Sequence, residues 1–216
     1  MTIKAVLFDL DGTFADTALD LGFALNQQRR LHGLPPLPQD VVRPQASHGA
    51  RGLLKLGFGI GSDDPKFAAM RAEYLDLYEQ HICDHTVLFP GMPELLLELQ
   101  QRNIAWGIVT NKPARFTIPL MEKLGLIQDA ACIVSGDTTA NSKPHPEPLL
   151  TAARQIGIAP EECLYVGDAE RDVEAALAAH MQVLIAMYGY LGEDDHPETW
   201  GAHGYIHKPM DVLGHF

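Results

Sequence analysis

The strongest constraint on the fold of this chain is a regular alternation between short apolar runs and longer segments with a helical pattern. Five apolar runs have the length and composition of buried strands, at residues 5–10, 104–109, 131–134, 163–166 and 183–186. Helix-like segments follow three of these runs, at residues 113–124, 147–156 and 171–179. The alternation predicts an α/β fold in which helices cover both faces of a parallel sheet.

One long segment interrupts this alternation. Residues 15–85 contain no strand pattern, so we expect them to form helices only. Asp16 is expected to cap a helix that ends near residue 33, Ser47 to cap a short helix, and Asp64 to begin a long one.

The last of these helices carries an apolar stripe at helical spacing, which predicts core packing and not a cofactor contact. Its members are Phe67, Met70, Tyr74, Tyr78 and Ile82. We therefore predict an all-helical cap domain at residues 15–85, inserted into a core domain formed by residues 1–14 and 86–216.

Charge and cysteine content limit the function classes. Sixteen Lys and Arg against 28 Asp and Glu give 16 − 28 = −12, which argues against nucleic acid or an anionic membrane as partner. No apolar stretch reaches the roughly 18 residues of a membrane span, and the first residues lack the pattern of a signal peptide. Three cysteines without a Cys-x-x-Cys pair fit a reducing compartment. We expect a cytoplasmic protein.

Polar residues follow three of the predicted strands. In open α/β sheets, ligands bind outside the carboxyl ends of the strands, so these residues are expected to meet in one cleft. Lys143, which lies between the third strand and its helix, can reach the same edge. The candidate residues are Asp9, Asp11, Thr110, Asn111, Lys143, Asp168 and Asp172.

The carboxylates among these residues predict a metal site. Asp9 and Asp11 are two positions apart, so in an extended chain their side chains point the same way. Two such carboxylates repel each other unless a cation keeps them ionised, and Asp168 and Asp172 add further oxygens. An oxygen-only cluster of this size favours Mg²⁺ over Ca²⁺ or zinc.

Each of these features has an ordinary structural explanation when it is taken alone. Asp-x-Asp-Gly also occurs in turns, a strand-end threonine often bonds to backbone, and acids at a helix start offset the helix dipole. Their order along the chain and their common place at one sheet edge favour a catalytic site.

The sequence resembles the haloacid-dehalogenase superfamily of phosphohydrolases, in its phosphoglycolate phosphatase-like branch. The four matching motifs, at residues 8–13, 109–113, 142–148 and 166–172, span nearly the whole chain. Residues 88–96, 112–116 and 199–202 also resemble N-acetylmuramic acid 6-phosphate phosphatases. The resemblance implies a Rossmann-like sheet with an inserted helical cap, an Mg²⁺ cofactor and a small phosphomonoester substrate.

The resemblance also implies a role for each motif residue. Asp9 would be the nucleophile that forms an aspartyl-phosphate, and Asp11 the general acid and then the base. Thr110 and the Asn111 amide would hold phosphate oxygens, and Lys143 would offset negative charge. Mg²⁺ would be bound by Asp9, the Asp11 carbonyl and Asp168. Asp172 would position either Lys143 or a metal-bound water.

Substrate selection is expected to depend on the cap. Its most site-like segment is residues 46–53, where Arg51 could bind a substrate carboxylate and His48 is a weaker candidate. Both remain open, since an exposed helix charge explains Arg51 equally well. His81 and His85 have the spacing of a metal pair, but we interpret them as ordinary residues near the end of the apolar stripe.

Three function classes follow. The leading hypothesis is an Mg²⁺-dependent phosphatase acting on a small acidic phosphate monoester, either phosphoglycolate or N-acetylmuramic acid 6-phosphate, as a monomer or a homodimer. The second is a β-phosphoglucomutase-like phosphomutase, although no second phosphate site is evident. The third is a non-catalytic binding protein, which would not require both Asp9 and Asp11.

Overall fold

A computed structural model describes residues 2–215, which contain one parallel sheet of six strands and one antiparallel ribbon of two. The strand order in the sheet is β5-β4-β1-β6-β7-β8. The strands are β1 (Ala5–Phe8), β2 (Ala15–Asp16), β3 (Val87–Leu88), β4 (Ala105–Val109), β5 (Cys132–Val134), β6 (Cys163–Gly167), β7 (Gln182–Ala186) and β8 (Gly204–Ile206). All five predicted strands are present, and β8 and the ribbon β2–β3 were not predicted.

Helices pack on both faces of the sheet, as the alternation predicts. Val6 and Phe8 of β1 belong to one buried apolar cluster, and Ala5 and Leu7 belong to the other. Every helix in the described residues is too short or too polar to span a membrane. The helices are α1 (Ala18–Leu31), α2 (Gln39–Val42), α3 (Gly49–Phe58), α4 (Phe67–Gln80), α5 (Met92–Gln101), α6 (Ala114–Lys123), α7 (Glu147–Ile156) and α8 (Glu170–Ala178).

The segment at residues 15–85 is mainly helical, but not entirely. It contains α1 to α4, and the predicted apolar stripe packs into the core, with Tyr74 and Tyr78 each 1% exposed, Phe67 partly buried and Ile82 just beyond the end of α4. However, its first two residues form β2, which pairs with β3 where the chain returns to the sheet. The expectation of helices only was therefore wrong at this end, because a two-residue strand is too short to produce a periodic pattern.

Two of the predicted helix caps are also wrong. Asp16 lies 3.4 Å from the Ala18 amide, and the amides of Thr17 and Ala18 donate instead to Tyr190 Oη at 2.6 and 2.9 Å. Ser47 does not cap α3, because its hydroxyl donates to Asp168. Both side chains have tertiary partners instead: Asp16 accepts from Arg43 at 2.8 Å, and Ser47 donates to Asp168 at 2.8 Å. For α4, Asp64 accepts a hydrogen bond from the Lys66 amide at 2.8 Å, just before the helix begins at Phe67.

A buried carboxylate ties the helical segment to the returning chain. Asp20 in the first turn of α1 is 0% exposed and accepts hydrogen bonds from the backbone amides of His85 and Thr86 at 2.9 Å each. The Thr86 hydroxyl donates to the same carboxylate at 2.6 Å. This contact fixes the chain just before β3 and therefore fixes where the helices sit above the sheet edge.

Candidate active site

The central strands bring three of the predicted polar segments together. β4, β1 and β6 are neighbours in the sheet, and Thr110, Asp9 and Asp168 each follow one of them directly. Gly12 makes the approach between the first and last segments possible. Its φ is +85°, and a Cβ atom on it would lie 2.2 Å from an Asp168 oxygen.

Lys143 lies at the centre of the site although it comes from a loop. Its ammonium is 3.0 Å from Asp9 Oδ1 and 2.7 Å from Asp172 Oδ1, and its side chain is 0% exposed. It also donates to Tyr165 Oη at 2.7 Å and to the Val109 carbonyl at 2.9 Å. All its contacts are acceptors, so the buried ammonium is fully compensated.

Both of these carboxylates belong to a cluster of three. One oxygen from each of Asp9, Asp168 and Asp172 lies within 4.8 Å of the others, and all three residues are buried. Burial raises the pKa of Asp9, although Lys143 opposes the shift. Burial and the nearby charges of Asp9 and Asp172 raise the pKa of Asp168 to about 7. Burial also acts to raise the pKa of Asp172, but Lys143 and Arg171 lower it overall.

Burial is the largest cause of the raised pKa values of Asp9 and Asp168, and repulsion between neighbouring carboxylates adds to it. A divalent cation would offset that repulsion, and an all-oxygen donor set suits a hard ion such as Mg²⁺. The residues present therefore fit the implied metal.

Asp11 lies beside this cluster and is held from two sides. Lys112 Nζ is 2.9 and 3.1 Å from its two carboxylate oxygens. The Thr17 hydroxyl donates to Oδ1 at 2.6 Å. The side chain of Asp11 is 18% exposed and lines the cavity described below, so it remains accessible to a ligand.

Asn111 holds the Lys143 loop against the end of β4. Its side-chain amide donates to the Lys143 carbonyl at 2.8 Å, and its Oδ1 accepts from the Lys143 amide at 2.9 Å. The neighbouring Thr110 accepts the Lys112 amide at 3.2 Å through its hydroxyl oxygen. The side chain of Asn111 thus has a structural task, while its backbone amide is a separate candidate for ligand contact.

A cavity of about 630 Å³ lies over these residues. Its floor includes Asp9, Thr110 and Lys143, and its upper wall comes from the helical segment. Both predicted substrate residues, Arg51 and His48, line it. Burial and the charge of Arg171 lower the pKa of His48. Arg71 of α4 lines the cavity as well.

The helical segment touches the site directly at Ser47. The Ser47 hydroxyl donates to Asp168 Oδ2 at 2.8 Å, and its carbonyl accepts from Arg171 Nη2 at 2.8 Å. The helical segment therefore contacts the core at Asp168 and Arg171.

The structure brings together the seven candidate residues named from the sequence, and both predicted substrate residues line the same cavity. Sequence reasoning missed the contacts of Lys112, Ser47 and Arg171. Lys112 and Arg171 lie within the motifs at residues 109–113 and 166–172. Their positions next to Asn111 and Asp172 could have identified them as candidate site residues.

The histidine pair is explained without a metal. His81 Nδ1 is 2.9 Å from Asp84, and His85 Nδ1 is 3.0 Å from Asp20. In the described range 2–215, the only cluster with metal-binding geometry is the one at Asp9.

The chain matches known proteins along almost its whole length. The family model for haloacid dehalogenase-like hydrolases matches residues 6–186. An N-acetylmuramic acid 6-phosphate phosphatase of Pseudomonas aeruginosa is 40% identical over 213 residues, covering 99% of this chain and 94% of the relative. A phosphoglycolate phosphatase of Xanthomonas campestris pv. campestris is 41% identical over 209 residues, covering 97% and 94%.

Solved structures of similar proteins share the same fold. The crystal structure of a putative phosphoglycolate phosphatase from Lactobacillus plantarum is 27% identical, covers 100% of both chains and has a TM-score of 0.83. A predicted phosphoglycolate phosphatase from Haemophilus somnus superposes with a TM-score of 0.86 at 24% identity, covering 99% of this chain and 98% of that one, which shows the shared fold. With the fold, the acidic site and these relatives in agreement, the chain belongs to the haloacid dehalogenase-like hydrolases and is a phosphatase of that family.

Proposed function

We propose that this enzyme hydrolyses a small acidic phosphate monoester through an aspartyl-phosphate on Asp9. The observation that carries the proposal is the contact of Lys143 with Asp9 at the floor of one cavity, supported from behind by Asp172 and Asp168. An anionic nucleophile meets an anionic phosphate only where cations neutralise their repulsion. Lys143 is placed to do this, and a bound Mg²⁺ would supply the remaining positive charge.

In the first half of the reaction, the phosphoryl group passes from the substrate to Asp9. Asp9 attacks phosphorus, while the Thr110 hydroxyl and the Asn111 amide orient the phosphate oxygens. Asp11 protonates the leaving alkoxide, because an alkoxide is too basic to leave unprotonated at neutral pH. Asp172 holds Lys143 in place, which its 2.7 Å contact supports over the alternative role on a metal-bound water.

In the second half of the reaction, water replaces Asp9 on phosphorus. Asp11 has lost its proton by then and accepts one from the attacking water. The bond between phosphorus and the Asp9 oxygen breaks, inorganic phosphate leaves and the Asp9 carboxylate is restored. The metal would be held by Asp9, Asp168 and the Asp11 backbone carbonyl.

The size of the cavity favours the larger of the two candidate substrates. A volume of about 630 Å³ falls within the range of about 300–1,000 Å³ typical of pockets that enclose drug-sized ligands. Phosphoglycolate would fill a small part of it, whereas N-acetylmuramic acid 6-phosphate would use more. Both candidates carry a carboxylate, which Arg51 could bind. We keep both, since relatives of both names are about equally similar.

We further propose that residues 15–85 act as a cap over the core and that the enzyme works in the cytoplasm. The two free buried cysteines, Cys132 and Cys163, fit a reducing compartment. Burial raises their pKa values to about 12 and 11, so neither is a reactive thiolate.

A phosphate-release screen tests the proposed function. It compares 2-phosphoglycolate, N-acetylmuramic acid 6-phosphate and common sugar phosphates, each with Mg²⁺ and then with a chelator. We expect Mg²⁺-dependent release from a carboxylated substrate and none from Asp9→Asn, whose folding is checked by circular dichroism. Near-normal release by Asp9→Asn would remove Asp9 as the nucleophile. Isomerisation of a sugar phosphate without free phosphate would favour a mutase.

A further inference from the structure

Lys112 is a buried cation that the proposed mechanism does not use. Its side chain is 5% exposed, although lysine is rarely buried without a specific partner. Its partner is the Asp11 carboxylate, whose two oxygens lie 2.9 and 3.1 Å from Nζ. A cation in contact with both oxygens limits rotation of the carboxylate group.

The backbone of Lys112 is fixed on both sides. Its amide donates to the Thr110 hydroxyl at 3.2 Å, and its carbonyl accepts from the Gly136 amide at 2.9 Å and from the Thr117 hydroxyl at 3.0 Å. A Cβ atom on Gly136 would lie 2.2 Å from the Asn111 carbonyl oxygen. The loop therefore reaches Lys112 only because residue 136 is glycine.

An aromatic ring from the helical segment covers the ammonium. Lys112 Nζ lies 4.6 Å from the centre of the Tyr78 ring, within the range of a cation–π interaction. Tyr78 belongs to α4 and is 1% exposed. The cation therefore has two partners from different parts of the chain, and both favour one side-chain position.

The Asp11 carboxylate accepts hydrogen bonds from two different side chains. Lys112 donates to both oxygens, and the Thr17 hydroxyl donates to Oδ1 at 2.6 Å. Donors on two sides therefore hold the carboxylate group in one orientation.

We propose that Lys112 is the positioning residue that holds the Asp11 carboxylate for the second half of the reaction. The inference rests on the proposed function, in which Asp11 takes a proton from the attacking water. In that step the water oxygen bonds to phosphorus, the bond between phosphorus and Asp9 breaks, and the proton passes to Asp11. Without the ammonium, the Thr17 hydroxyl holds only one oxygen of Asp11, so the carboxylate can rotate away from the water and hydrolysis of the aspartyl-phosphate slows.

The test uses p-nitrophenyl phosphate, whose leaving group departs without a proton donor. Stopped-flow absorbance separates release of the first nitrophenol from the steady state that depends on hydrolysis of the aspartyl-phosphate. For Lys112→Met, we expect the first turnover to stay within about threefold of wild type and the steady-state rate to fall about tenfold to a hundredfold. The traces should then begin with a burst of one nitrophenol per enzyme, and intact-mass spectrometry should detect a phosphorylated enzyme.

Three further variants complete the design. Lys112→Gln gives a second uncharged side chain, so the test does not depend on the folding of Lys112→Met alone. Lys112→Arg, which keeps the cation, should recover most of the steady-state rate. Lys55→Met, at an exposed position of α3, should match wild type throughout.

The outcomes separate this inference from the proposed function. If first-turnover and steady-state rates fall together in Lys112→Met and Lys112→Gln, Lys112 binds the substrate and the inference is overturned. Unchanged rates in both variants would overturn it as well. Asp11→Asn is the reference variant, because it lacks the proposed base itself. If Asp11→Asn shows a burst and the uncharged Lys112 variants do not, the inference about Lys112 is overturned and the proposed function stands. A normal steady-state rate in Asp11→Asn removes the base assigned in the proposed function.

Discussion

The buried carboxylate of Asp168 destabilises the metal-free protein, although the proposed metal site requires it. It is 1% exposed, and burial with the charges of Asp9 and Asp172 raises its pKa to about 7. In the unfolded chain the same carboxyl titrates near its ordinary value of 3.8. Between these values the folded protein binds more protons than the unfolded one, so the metal-free enzyme loses stability as the pH rises through this window.

Replacing Asp168 by Asn should therefore stabilise the metal-free protein while it abolishes turnover. At pH 8 the amide removes the cost of a buried negative charge, and a shift of about three pKa units limits the gain to about 4 kcal/mol. At pH 5 the wild-type carboxyl is largely protonated, so the gain should shrink to less than half. Thermal melts with a chelator at both pH values measure this. A variant that is less stable than wild type at pH 8 would contradict the charge explanation.

The candidate residues could be predicted from the sequence because each one directly follows a buried strand or lies in one of the four family motifs. The sequence could not predict which partners these side chains would choose. The Lys112–Asp11 contact depends on a loop that is held by the Gly136 amide. Ser47 was expected to cap a helix but donates its hydrogen bond to Asp168. Such contacts join residues that are far apart along the chain, where local pattern carries no information.

Helix α8 ends in a conformation that its sequence does not favour. His180 follows the helix with φ of +59°, in the left-handed region where glycine is the usual residue. Its side chain is exposed, so little packing offsets the strain.

We expect His180→Gly to raise the free energy of unfolding by about 0.5–1 kcal/mol, because relief of the backbone strain exceeds the added flexibility of the unfolded chain. Urea unfolding measures the difference, with His207→Gly, outside the helices and strands, as the control. Stabilisation in the control alone would show that the strain at residue 180 is negligible.

The five apolar runs were predictable as strands, and β2, β3 and β8 were not. β2 and β3 have only two residues each, and β8 has three, as β5 has, but its sequence Gly-Tyr-Ile is not part of a longer apolar run. β2 and β3 pair because they lie side by side where the chain leaves the core and returns to it. β8 forms because it pairs with the edge of β7.

The protein as a whole is acidic, with a net charge of −12, yet the upper wall of its cavity is basic. Arg51 and Arg71 come from two different helices of the segment at residues 15–85 and line the same space. Local charge of this kind allows an acidic protein to bind an anionic substrate.

Arg51→Ala should therefore raise the KM for a carboxylated phosphate ester about tenfold and leave the KM for p-nitrophenyl phosphate nearly unchanged, since the latter has no carboxylate. Steady-state kinetics with both substrates measure the contrast. Arg102→Ala, in an exposed ion pair with Glu98, is the matched control. An equal rise for both substrates would mean that Arg51 contacts the phosphate or supports the fold.

The most direct test of the mechanism is to trap the enzyme during turnover in acid and locate the phosphoryl group by peptide mass mapping. We predict one phosphoryl group on the peptide that contains Asp9, and none in Asp9→Asn. A phosphoryl group on another side chain, or undiminished turnover by Asp9→Asn, would contradict the account.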